Sequence, residues 1–571
     1  MVAQDFDAAV FGPAPVNDFD MTTSELVGAL DAAGSEIEDD PGALARPVVF
    51  DPIYAVLRSF GAAGADVRER ACMCTIEAAS MVTRAAKRSL GALASDAELA
   101  RQRSTLKRAV LLLSTLIAEA EKESAAATAA EPPKTAAAKK AARGAKKAAP
   151  LLNCSKWDWE ARREDALLKL LGALELDLPA LWSHRSVEEG FGLLFSRAAC
   201  AVLEQPIAVK SSAFGTTKEV LARLLVLPAL RLGQGATVGG ELVTLLLRHE
   251  HLSAVLAELL SLVLDESGAP TLVVTLIQEL AQLAPEDMGA DSTGPKHISL
   301  FLAAFAARAP LMLLANVELL QGLLASESYA LRCGVVSTNG QLQLQFAQLD
   351  APPPEVAEAA TGLVDAILER LHDVSSFVRC RSLQTLCALC EARALPRDEY
   401  TAAAEAALGR LEDKNANVRR GALQLYAAIL EFNPFCPSLN RKQLEERREA
   451  LAPSKSETAA TAATAATAEG EEAAAAPGPP KEADADASAE ADAPAPTPPP
   501  AAKDERTVAL ELLEGALGLE AVLSRWLDHV TTLLGSQTVS DVTEAMGALV
   551  AAHCFEVEGA RPAAFLSLVF S

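Results

Sequence analysis

The sequence predicts an all-α fold, a HEAT- or armadillo-type α-solenoid interrupted by disordered linkers. Three observations carry that prediction. Apolar residues recur at i, i+3, i+4 and i+7 through most of the chain, as in Ile53, Val56, Leu57 and Phe60 and again in Leu106, Val110, Leu113 and Ile117. The period-two alternation of half-buried strands is scarce. One segment also repeats another at a constant offset: RLHDVSSFVRCRSLQTL, residues 370–386, against RLEDKNANVRRGALQLY, residues 410–426, an offset of 40. A period near 40 to 47 residues, with two helices per unit, is that of HEAT and armadillo arrays.

Composition bounds the rest. The chain has 571 residues, 50% of them hydrophobic but only 4% aromatic, because alanine inflates the apolar count. No run of 18 strongly apolar, uncharged residues occurs, so no membrane span is expected; Glu258, Asp265, Arg308 and Glu318 interrupt the leucine-rich stretches. A net charge of −25 argues against coating of nucleic acid along the whole chain, since that binding rests on Lys and Arg neutralising phosphates. The start is acidic and lacks a basic region followed by an apolar one, so an intracellular location is expected. Ten cysteines without a regular framework fit free thiols in a reducing compartment.

From the N-terminus, residues 1–51 hold 11 acids and one base and read as a loosely ordered lead-in. Folded structure is expected from Pro52, with a helical segment over 52–123. Residues 124–150 are mostly Ala, Lys and Pro and read as a basic linker. Helical periodicity resumes over 151–451, the expected solenoid, and residues 452–503 form a second linker rich in Ala, Thr, Pro and acids. Residues 504–571 read as a further helical repeat, incomplete at its C-terminal end.

Within the repeat, Asp373 and Asp413 each precede a helical run and are expected to cap it. Val378 and Val418 fall on the inward face. Arg379 and Arg419 are placed to reach an aspartate in the neighbouring unit, forming a ladder. A fainter copy puts Leu331 and Arg332 47 residues before Val378 and Arg379. One unit cannot bury its own apolar face, so stacking must supply the core.

No local motif assembles a catalytic, cofactor or metal site. Cys387 and Cys390 have CxxC spacing but no second pair nearby, and burial in a helix is the better reading than zinc. His249 and His251 point to different faces of a helix. Gly233, Gly235 and Gly239 give GxGxxxG after a helix rather than a strand, and Pro295 separates Gly294 from Lys296, so neither loop is read as a phosphate cradle. The basic arm differs: Lys139, Lys140, Arg143, Lys146 and Lys147 suit sequence-independent DNA contact, with a spacer or nuclear import signal as the bland alternative.

A more specific resemblance emerges at 365–440. HDVSSFVRCRSLQTL, then Ala394 to Pro396, then ALGRLEDKNANVRRGALQLYAAILEFNPF is similar to the most recognisable block of the condensin complex subunit 1 family, the HEAT-repeat D subunits of condensin I. WDWEARREDALLKLLGALELDLPALW (157–182), EEGFGLLFSRAACAVLEQP (188–206) and LLGSQTVSDVTEAMGALVAAHCFEVEGA (533–560) extend it. The resemblance implies an amino-terminal portion of a non-enzymatic subunit. It further implies kleisin and SMC ATPase subunits as partners, contact with chromosomal DNA, no cofactor, no small-molecule substrate and no membrane. A role in mitotic and meiotic chromosome condensation in the nucleus follows from it. The alternative from another class is a generic HEAT adaptor, a nuclear transport receptor or phosphatase scaffold.

Overall fold

The computed structural model describes residues 22–92, 94–130, 158–212, 214–264, 269–283, 293–349, 353–451 and 505–560. Among them every regular element is helical. The chain divides into two compact units, residues 1–345 and 346–571.

The first unit holds α1 (Thr23–Asp39), α2 (Pro47–Arg58), α3 (Ala65–Gly91), α4 (Asp96–Ala130), α5 (Glu160–Leu174) and α6 (Glu189–Leu203). It continues through α7 (Phe214–Leu232), α8 (Gly235–Arg248), α9 (Leu252–Leu262), α10 (Ala269–Ala281), α11 (Gly294–Ala306) and α12 (Tyr329–Phe346). Packing follows a next-but-one rule: α1 meets α3, α3 meets α5, α5 meets α7, α7 meets α9 and α9 meets α11, while α2, α4, α6, α8 and α10 form the parallel series. Two layers result, with each helix hairpin crossing between them. That is solenoid stacking, in which each unit closes the apolar face of the one before.

The second unit holds α13 (Pro354–Glu369), α14 (Ser376–Glu391), α15 (Glu399–Leu408), α16 (Ala416–Glu431), α17 (Arg441–Leu451), α18 (Glu505–Leu533) and α19 (Val539–Cys554). Its outer layer is α13, α15 and α18, and its inner layer is α14, α16 and α19. Trp526 of α18 is fully buried, stacks on Tyr426 of α16 at 5.0 Å and donates its indole N–H to the Ala404 carbonyl of α15 at 3.2 Å. One large ring thus ties both layers while its polar tip is satisfied. Gly421 lets α14 approach closely, since a Cβ there would lie 3.3 Å from Leu383.

Three expected boundaries move. The lead-in to Asp51 contains α1, whose Leu30, Ala33 and Ile37 are buried, so folded structure begins well before Pro52. A capping box starts that helix: the Thr22 side chain accepts from the Glu25 N–H, and Glu25 accepts in return from the Thr22 N–H at 2.7 Å. The expected linker at 124–150 starts late, because α4 runs on to Ala130. The stretch 151–451, read as one solenoid, is divided at 345/346. The acidic linker and the basic arm lie outside the described residues.

Candidate functional site

In the second unit the repeat signature becomes a chain of ion pairs across the inner layer. Arg379, on α14, grips Asp413 with both ends of its fork, Nε to Oδ2 at 2.8 Å and Nη2 to Oδ1 at 2.9 Å. Its remaining Nη1 donates to the Asp373 and Val374 carbonyl oxygens at 2.8 and 3.2 Å. Arg419, 40 residues on, repeats this: Nη1 donates to the Asp413 and Lys414 carbonyls at 2.8 and 3.3 Å. The faint third copy shares the inner half of the pattern, because Arg332 Nη1 donates to the Ser326 and Glu327 carbonyls at 2.7 and 3.1 Å. Arg379 and Arg419 each tie the turn that starts their own helix and then reach forward to a carboxylate, and the planar five-donor fork makes both possible.

The aspartates do not occupy the N-cap as expected. Asp373 Oδ1 accepts from the Ser375 N–H at 2.8 Å, and Asp413 Oδ1 from the Asn415 N–H at 2.9 Å, so each closes an Asx turn two residues ahead of its helix. The N-caps are Ser375 and Asn415, and Asn415 Oδ1 accepts from the Asn417 N–H at 2.9 Å. Val378 and Val418 are fully buried beneath.

The next acceptor was not legible in the sequence. Arg419 donates to Asp541 Oδ2 from Nε at 3.0 Å and Nη2 at 2.5 Å, across a separation of 122 residues. At the turn position of this last unit stands Ser536, whose hydroxyl accepts from the Thr538 N–H at 3.1 Å, imitating the Asx turn, and donates to Asp541 Oδ2 at 2.9 Å. The carboxylate has moved from the turn into the first turn of α19, where valine stands in the two earlier units. The place of the ladder arginine is taken by Val542.

Burial works to raise the Asp413 pKa, but the Arg379 guanidinium, the Asn415 N–H and Arg410 outweigh it and hold the carboxyl below its ordinary value. The sign follows from that depression. The ladder's contribution is present above the unfolded-state pKa of about 3.9 and is lost as pH falls through the lower folded-state value. Asp413→Asn should therefore destabilise the unit by about 2 kcal/mol near neutral pH. Parent and variant should converge in strong acid, as urea unfolding followed from neutral to acid pH will show.

A second buried ion pair sits in the first unit. Glu121 of α4 accepts from Trp159 Nε1 at 2.6 Å and from Arg163 Nε and Nη2 at 2.5 and 3.1 Å, and Glu121 and Arg163 are 1% and 4% exposed. This clamp ties α4 to the start of α5, the helices that precede and follow the basic segment in sequence. Lys139, Lys140, Arg143, Lys146 and Lys147 themselves lie outside the described residues.

The remaining candidates have structural surroundings. Burial pushes the thiols of Cys387 and Cys390 up to about 12, with Cys390 wholly enclosed, so both are protonated at neutral pH. His249 and His251 flank the loop between α8 and α9 rather than sharing a helix, their rings 5.5 Å apart. His251 Nε2 bonds the Leu203 carbonyl at 2.9 Å, and burial together with His251 lowers the His249 pKa. At the GxGxxxG loop Gly233 takes a φ of +70°, and buried Gln234 lies over Gly192 and donates to the Glu189 carbonyl at 3.0 Å. The loop is filled by its own side chain. Gly294 packs on Leu247 at the start of α11. Among the described residues no helix is long and apolar enough to cross a membrane.

Comparison with known proteins places this architecture. Residues 69–238 match the family described as non-SMC mitotic condensation complex subunit 1, N-term. Condensin complex subunit 1 of Mus musculus is 31% identical over 311 residues, 53% of this chain and 22% of that protein. The chain is similar to condensin complex subunit 1 over about half of its own length. The Homo sapiens condensin protein is 30% identical over 301 residues, 53% of this chain and 21% of its own length. The Saccharomyces cerevisiae condensin protein is 28% identical over 297 residues, 52% of this chain and 25% of its own. The matched part of the chain thus spans a quarter or less of these condensin subunits. Kap121p bound to RanGTP aligns at 10% identity over 96% of this chain and 58% of that one, with a TM-score of 0.24, too weak to favour a transport reading.

Proposed function

We propose that the chain serves as a non-enzymatic HEAT-repeat scaffold of condensin, holding a kleisin segment and engaging SMC ATPase heads during mitotic and meiotic chromosome condensation. The match of residues 69–238 to the non-SMC condensation subunit carries the reading. The two-layer stack supports it, because a solenoid offers an extended surface for a long, unfolded partner segment. Affinity purification from mitotic extract is the test. Recovery with a kleisin and two SMC proteins is expected; recovery with none of them, or with Ran or a phosphatase catalytic subunit instead, overturns the reading.

In this reading the basic arm meets chromosomal DNA through phosphates, and the nucleus and chromosome are its place of action. Replacing Lys139, Lys140, Arg143, Lys146 and Lys147 with glutamine should weaken DNA binding evenly across sequences. It should also flatten the salt dependence by up to about 0.9 log units per lost phosphate contact. Filter binding over a salt series measures both. Unchanged affinity and slope would leave the arm as a spacer or import signal.

A further inference from the structure

The even-numbered layer of the first unit does not close completely. Between α6 and α8 lies a cleft of about 400 Å³, to which α6 contributes Arg197, Cys200 and Glu204 and α8 contributes Glu241, Leu245 and Arg248. Its size falls in the range of about 300–1,000 Å³ for clefts that hold ligands. The α6 residues stand at i, i+3 and i+7, one face of a helix. The gap exists because its middle is built from small residues. Cys200 and Ala201 stand on one wall and Gly240 on the other, where an added Cβ would meet nothing within 4 Å.

The charges in the cleft are not matched. Arg197 Nε donates to Glu241 Oε1 at 3.0 Å, whereas Glu241 Oε2 is closed off from water and has no hydrogen bond. Among the described residues the Glu204 carboxylate and the Arg248 guanidinium form no hydrogen bond or ion pair. Burial first, then Glu241 and Glu204, push the Cys200 thiol above its ordinary pKa against the pull of Arg197, so both carboxylates lie by the cleft floor. That thiol is 8% exposed and protonated, a small apolar surface beneath two acids. Arg248 ends α8, where the helix C-terminus favours a cation. Around Cys200, Glu241 Oε2 and the Glu204 carboxylate are left as acceptors without a protein donor.

A carboxylate oxygen withdrawn from water is costly until a donor reaches it. Calcium fits poorly, since it takes about six to eight oxygen ligands and the cleft offers two carboxylates with Arg197 already on one of them. A phosphate chain would be repelled by the same two acids. A guanidinium fits. Its planar fork of donors can serve Glu241 Oε2 and the Glu204 carboxylate together, while its aliphatic stem covers the apolar walls. Arg248 at the end of the cleft opposes a second cation, so the site suits one arginine rather than a polybasic tail.

We propose that the cleft between α6 and α8 receives a single arginine side chain presented by a segment of a partner protein, its guanidinium bridging Glu241 and Glu204 and its stem lying on Cys200 and Leu245. This rests on the reading of the chain as a binding scaffold and names the chemistry that one of its clefts recognises.

The test is selection of a random displayed peptide library on the full chain, with depletion on the Gly240→Leu chain, whose new side chain fills the cleft. That variant should stay folded, because nothing stands where its Cβ would be and leucine favours a helix more than glycine does; circular dichroism checks it. Peptides that survive depletion should share one arginine at a fixed position. In fluorescence anisotropy such a peptide should bind about tenfold or more weakly when citrulline replaces that arginine. The Glu204→Gln chain, which loses no internal pair, should bind the arginine peptide more weakly to a similar degree. An absence of surviving peptides, survivors that lack arginine or carry runs of basic residues, equal binding of the citrulline peptide, or an unchanged Glu204→Gln chain would overturn the proposal. If the site fails these tests yet the chain purifies with kleisin and SMC proteins, the site falls and the condensin reading stands.

Discussion

Glu121→Ala should destabilise the first unit by about 3–5 kcal/mol, the cost of leaving one partner of a buried ion pair without the other. The carboxylate is the shared acceptor of the Arg163 fork and the Trp159 indole N–H, all three side chains being almost wholly buried. Arg163 already has one buried Nη1 without a hydrogen bond, so it has little capacity to re-pair. A paired Glu121→Leu/Arg163→Met chain should lose much less than Glu121→Ala, because removing both charges also removes their desolvation cost. Urea unfolding with hydrogen exchange read over α4 and α5 measures both variants. A loss in Glu121→Ala no larger than in the paired variant would mean the clamp is not held by charge pairing.

Asp541→Ala should destabilise the second unit by about 3 kcal/mol, the low end of the range for breaking a buried pair. The carboxylate is 0% exposed and takes two bonds from Arg419 and one from Ser536. Arg419 is partly reached by solvent and keeps its bonds to the Asp413 and Lys414 carbonyls, which limits the loss. Hydrogen exchange should rise in α16 and α19 together, since the pair joins them across the acidic insert. Faster exchange in α19 alone would show that Asp541 supports only its own helix.

What the sequence displayed and what it hid follow from how local each signal was. The 40-residue offset between Asp373/Arg379 and Asp413/Arg419 is visible because the two units are adjacent and use the same residue at the same position. Asp541 escaped because the insert at 452–503 breaks the period and because serine holds the turn while the carboxylate sits three residues past the N-cap. The unmatched fork of Arg419 was the one signal that a further acid must exist. α1 escaped for a different reason: its apolar residues Leu30, Ala33 and Ile37 are diluted by acids, and composition outweighed periodicity. Its capping box, Thr22 with Glu25, was there to be read. The Glu121–Trp159–Arg163 clamp spans the basic segment, and no spacing rule links residues 38 and 42 positions apart.

The role proposed for this stack of helix pairs is that of a condensin scaffold. Its most direct test is size-exclusion chromatography of the purified chain mixed with a purified kleisin and SMC pair. A single co-eluting peak in which this chain and the kleisin are equimolar is expected. Elution of the chain by itself, with kleisin and SMC proteins together in a separate peak, would contradict it.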